Sequence, residues 1–114
     1  MWDYATESYL DTKLQFCGLV MGDHSKCGIN TMFNTGSVVG VSASVFGAGF
    51  PHKYIPSFTW GGVDSFDDFK LDQALLVAER ALARRGMVLD EVESSILSHI
   101  YEITAKFRHL KQQF

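Results

Sequence analysis

Few side chains in this sequence can act on a substrate, and they are spread along it. His24 is of a residue type that suits a general base taking a proton from an attacking hydroxyl or amine. Its ordinary turn setting equally suits a solvated or structural histidine. Arg80, Arg84 and Arg85 carry the charge to hold a phosphate of coenzyme A or of a nucleotide, or simply complement the end of their own helix. Asn30 and Asn34 can bind a ligand in a cleft or satisfy turn backbone groups. His52, His99 and His109 lie far from His24 and no Cys/His cluster exists, so no metal site is expected. A Walker-type glycine loop and a Gly-x-Ser-x-Gly elbow are both missing.

The elements that must position these residues begin with Met21–Phe50, which repeats with a period of six. The first position is apolar (Met21, Cys27, Phe33, Val39, Val45), the second is Gly22, Gly28, Asn34 and Gly40, and the fifth is small (Ser25, Thr31, Ser37, Ala43, Gly49). Such a repeat is the signature of a β-solenoid. The first position is read as inward, and the Gly/Asn position as a turn with positive φ. Three hexads per coil place Met21 under Val39, Cys27 under Val45 and Gly22 under Gly40. The fourth position, Ser42 among them, is read as outward and tolerant of charge. About two coils cannot bury their own faces, so the chain reads as the tail of a longer protein.

Around the repeat, Thr12–Phe16 alternates like a strand. Pro51 and Pro56 forbid a helix across residues 49–62, whose Phe50, Tyr54, Phe58 and Trp60 are read as a cover packed over the end or flank of the solenoid, with an aromatic groove for a ligand as the alternative. From Asp64 the pattern becomes helical, with Leu71, Ala74/Leu75, Ala78 and Ala81/Leu82 at helix spacing. Asp67, Asp68 and Asp72 are read at its start, and Gly86 as its C-cap. Asp90 with Glu93 opens a second helix whose stripe is Val92, Ile96, Ile100, Ile103, Phe107 and Leu110, and leftover apolar positions such as Leu76, Val77, Leu97 and Tyr101 widen the buried face of the two helices. The expected fold is therefore a partial left-handed parallel β-helix with its aromatic cover (1–62), followed by an antiparallel helical hairpin (63–114).

The 114 residues are one domain's worth, and a net charge of −3 argues against nucleic acid or anionic membrane as a partner. No apolar run approaches the ~20 residues that span a bilayer. Asp3, Glu7 and Asp11 rule out a signal-peptide reading, so a cytoplasmic location is expected. Cys17 and Cys27 read as two buried, reduced thiols.

The stretch Met21-Gly-Asp-His-Ser-Lys-Cys-Gly-Ile-Asn-Thr-Met-Phe-Asn-Thr-Gly36, with Gly49-Phe-Pro and Ile55-Pro-Ser-Phe-Thr-Trp-Gly-Gly62, resembles the C-terminal part of a bacterial family of sugar nucleotidyltransferases. That family is similar to the bifunctional N-acetylglucosamine-1-phosphate uridylyltransferase/glucosamine-1-phosphate acetyltransferase. The resemblance implies the left-handed hand of the helix and a homotrimer. It also implies a nucleotidyltransferase domain ahead of this segment, which would use Mg2+ and take the sugar phosphate and nucleotide. In the bifunctional relative the acetyl-transfer histidine precedes the matching region, so His24 is not its counterpart. Two coenzyme-A-contacting positions fall on Ile29 and Gly47, where that relative has Ser and Ala. The expected role is thus a trimerisation part of a sugar-1-phosphate nucleotidyltransferase, forming one wall of an acyl-CoA (acetyl-CoA) site and inactive alone. The alternatives are a stand-alone acyltransferase at subunit interfaces and a purely structural trimer module.

Overall fold

A computed structural model describes residues 1–109, so Leu110 of the expected helical stripe lies outside the described residues. Two parallel sheets run through its centre. One has the order β3 (Val20–Met21), β5 (Val38–Val39), β7 (Tyr54–Ile55). The other has β4 (Lys26–Cys27), β6 (Ser44–Val45) and β8 (Thr59–Gly61), and ends on β9 (Phe66–Asp68), which is antiparallel to β8. An antiparallel pair, β1 (Trp2–Asp3) with β2 (Ser8–Tyr9), precedes them. Helices α1 (Leu71–Ala83), α2 (Glu91–Ile103) and α3 (Ala105–His109) follow.

The strands stack in three layers. Met21 lies opposite Val39 and Cys27 opposite Val45, eighteen residues on. Val39 then faces Ile55 and Val45 faces Gly61, only sixteen residues on. Residues 49–62 are therefore mostly not a cover: they carry the third layer, and Ile55-Pro-Ser-Phe-Thr-Trp60 runs parallel to Val39–Ser44. The shortening falls between β6 and β7, where Gly47 and Gly49 take φ of 94° and 91° and Pro51 has no N–H to donate. This corrects the expected left-handed β-helix. The sheets are small, mixed and unclosed, and neither 28–37 nor 46–53 contributes a strand to a third face.

The corner between the two sheets has a geometry the repeat did not announce. Positive φ recurs at the fourth position, at His24 and Ser42 (60° and 52°) in this corner and at Asn30 (63°) and Gly36 in the link from β4 to β5, not at the second. The second-position glycines answer a different need. A Cβ on Gly22 would lie 2.8 Å from the Gly40 carbonyl carbon, and one on Gly40 would lie 2.3 Å from Ser57 Oγ. The fifth-position hydroxyls close the turns: Thr31, Ser37 and Thr59 each donate to the carbonyl three residues back. Ser25 instead links layers, donating to the Gly40 carbonyl and accepting from the Ala43 N–H.

Burial follows the layers. Val39, Ala43, Val45 and Ile55 form the interior between the sheets. In the first layer Met21 and Cys27 are exposed and Cys17 is half-buried, because no layer stacks on their outer side; this corrects the expectation of two buried thiols. Thr12–Phe16 forms no strand, and Phe16 is 83% exposed. At the other flank Trp2 stacks on Tyr54 at 4.3 Å, with Phe107 edge-on to both.

The helices pack against the corner. Ala74 and Ala78 of α1 and Leu97 of α2 bury Phe58, with Val41, Ile100 and Tyr101 around them. Asp67 and Asp68 belong to β9 and not to a helix start, because the Gly61–Gly62 turn brings them back alongside Thr59–Trp60; only Asp72 lies in the first turn of α1. Gly86 (φ 68°) and Met87 donate to the Ala83 and Leu82 carbonyls, a Schellman-type end. Asp90 caps α2 by accepting from the Glu93 N–H at 2.8 Å. The buried face of α2 is rotated from the expected stripe: Val92, Ile96 and Ile103 are exposed, while Leu97, Ile100 and Tyr101 face the core. Arg108 is buried, lies over the Tyr101 ring at 4.2 Å and donates to the Tyr101 carbonyl and Thr104 hydroxyl. Among the described residues no helix is long and apolar enough to cross a membrane.

Two outcomes follow from these layers. Ser42, at the fourth position, is nonetheless buried, 2% exposed, with its hydroxyl lacking a hydrogen-bond partner among the described residues. Ser42→Asp should therefore destabilise by about 3 kcal/mol or more, matching Val39→Asp, because either buries a carboxylate. Ser42→Gly should stabilise by about 1 kcal/mol, since it relieves a left-handed backbone and removes an orphan hydroxyl. Thermal melts compare the three, and a tolerated Ser42→Asp would contradict this packing. Separately, burial raises the Tyr4, Tyr9 and Tyr54 hydroxyls above the ordinary 10.0, Tyr54 most. The unfolded chain releases these protons first, so stability should hold below about pH 9 and fall as pH rises through 10. Tyrosinate absorbance read beside circular dichroism checks this; free titration of all three without loss of structure would contradict it.

Candidate functional site

The Arg-rich end of α1 meets the sheet edge in a groove of about 400 Å³. Val77, Arg80, Ala81 and Arg84 line one helix face at i, i+3, i+4 and i+7, and Arg85 continues past the helix end. Opposite them stands Lys26 of β4. Four cations from two separate elements thus share one groove whose lining contains no carboxylate, and no ion pair among the described residues engages them. Lys26 Nζ donates to the His24 carbonyl at 3.2 Å, which holds the ammonium at the rim. Such a groove suits phosphate oxygens, because guanidinium forks and an ammonium supply charge-assisted donors.

His24 sits beside this groove in a structural setting. Its side chain is 14% exposed, and Nε2 meets Glu93 Oε1 of α2 at 2.9 Å. The pair ties the first-layer corner to the helices. A carboxylate orients an imidazole in this way, yet His24 lines neither the Arg80 groove nor the cleft at Gly47. Asn30 is a left-handed turn residue, and the Asn34 carbonyl accepts from the Ser37 hydroxyl. His52, His99 and His109 are exposed and apart. Among the described residues no group of three or more His, Cys, Asp or Glu side chains gathers to hold a metal.

Ile29 and Gly47 follow Gly28 and Phe46, which stack in successive layers. Ile29 is 96% exposed, whereas Gly47 lines a second cleft with Asp64 and Asp67. That cleft has no cation in its lining and does not fit the phosphates of acetyl-CoA; the Lys26–Arg80–Arg84–Arg85 groove does. The arginine spacing was readable along the helix. Lys26 was not, because it joins them only when the layer carrying it packs beside α1.

Comparison with protein-family models, with curated proteins and with solved structures returned no match.

Proposed function

We propose that this chain is the C-terminal module of a sugar-1-phosphate nucleotidyltransferase that holds the phosphates of an acyl-CoA in the Lys26–Arg80–Arg84–Arg85 groove and assembles as a homotrimer. The groove carries the reading: four cations with no ion-pair partner among the described residues converge where an anionic ligand can reach all of them. The long motif Met21–Gly36 supports the nucleotidyltransferase assignment by resemblance. Self-association is supported by two unpartnered apolar surfaces. One is the outer side of the first layer, with Leu19, Val20, Met21 and Met32 exposed; the other is the Val92, Ile96 and Ile103 face of α2. A purely structural assembly module draws on these same surfaces, and ligand binding separates the two readings.

Coenzyme A and inorganic pyrophosphate should both bind the chain saturably at low salt, measured by calorimetry. Arg80→Glu and Arg84→Glu should each weaken binding about tenfold or more, since each removes a charge-assisted contact. No saturable heat with either probe would overturn the phosphate site. Sedimentation equilibrium at micromolar concentration should give the mass of three chains, and a stable monomer would overturn the assembly.

A further inference from the structure

We propose that the cleft between Phe46 and Trp60 binds a small organic cation bearing an ammonium or guanidinium group. The rings are both 44% exposed, an unusual placement for two large aromatics in contact, with centroids 5.6 Å apart and planes tilted by 38°. Trp60 of β8 is directly opposite Asp67 of β9. Directly opposed residues of an antiparallel pair project from the same face, so a carboxylate stands beside the indole. Asp64 and Ser65 close the cleft from the intervening turn.

The cleft is formed by close backbone approaches. A Cβ at Gly61 would lie 2.1 Å from the Ser65 carbonyl oxygen, and one at Gly62 would lie 2.2 Å from that of Phe46. Only glycine lets the turn fold down onto the layer. At the mouth Gly47 has open space around its missing side chain. The volume is about 430 Å³, within the range of small-molecule sites.

Charge decides the class of occupant. No Lys, Arg or His lines the cleft; Lys70 lines a neighbouring cleft that shares Trp60 and adds Ser44, Asp68, Phe69 and Gln73. No ion pair among the described residues engages Asp64 or Asp67. An aromatic face with its negative quadrupole beside two free carboxylates attracts a cation and repels a phosphate. A neutral sugar can stack on the rings but gains nothing from the carboxylate charges. This site is independent of the basic groove and of any role assigned to it.

The test is a titration of the full chain followed by amide and indole resonances. Its probes are choline, the uncharged isostere with carbon in place of the quaternary nitrogen, and methyl glucoside. Choline should shift the Trp60 indole N–H and the Gly47 amide saturably, and the isostere should bind about tenfold more weakly or worse. Asp67→Asn should weaken choline binding severalfold; its exposed side chain makes it a safe variant even if Trp60→Leu proves unstable. Equal response to choline and its isostere, response to the glucoside alone, or no response at these resonances would each overturn the proposal.

Discussion

At the corner between the two parallel sheets, successive layers must bring their backbones into contact. The strands on either side are two or three residues long, too short for their ladders to specify the stack alone. The space above Gly22 is filled by the Gly40 peptide, and the space above Gly40 by Ser57. Hydroxyls at Ser25 and Ser57 then satisfy amides and carbonyls of the neighbouring layer. The helices depend on this corner in turn, because Phe58, the left-handed corner residue of the third layer, is the side chain they bury.

Polar and apolar demands meet at that same place. The backbone is left-handed at His24, Ser42 and Phe58, and the His24 and Phe58 side chains meet the helices. Each residue solves the position differently. Phe58 supplies apolar area, His24 pairs with Glu93, and Ser42 is buried with its hydroxyl unmatched. The third layer contributes the fully buried Ile55 and Phe58, and the first layer the His24–Glu93 hydrogen bond. The stack is therefore tight at its helix-covered end and open at β3 and β4, where apolar side chains remain in solvent.

Two clefts among the described residues have opposite electrostatic character. Lys26 and three arginines gather on one, while Asp64 and Asp67 stand beside exposed rings in the other. With a net charge of −3 for the whole chain, this separation arises from placement and not from overall composition. Opposite fields on one small domain favour ligands of different charge at different places, and prevent a single anionic ligand from occupying both.

Periodicity was legible wherever a local geometric need repeats. The hexad pattern gave the neighbours of Met21, Cys27 and Gly22 one layer on, because strand-plus-turn units of equal length must stack at equal offsets. The α1 stripe and the Asp90 cap were legible for the same reason, since helix spacing and capping act within a few residues. Whether the layers close into a β-helix was not local. Neither 28–37, where the hexads keep phase, nor 46–53 forms a strand of a third face, and two residues lost between β6 and β7 hid Ile55–Trp60 as a layer out of phase with the others. The burial of Ser42, the rotation of α2, and the meeting of Lys26 with Arg80 and of Trp60 with Asp67 arise between segments distant in sequence or folded back on one another. A sequence lists each segment's own preferences; packing alone selects which faces meet.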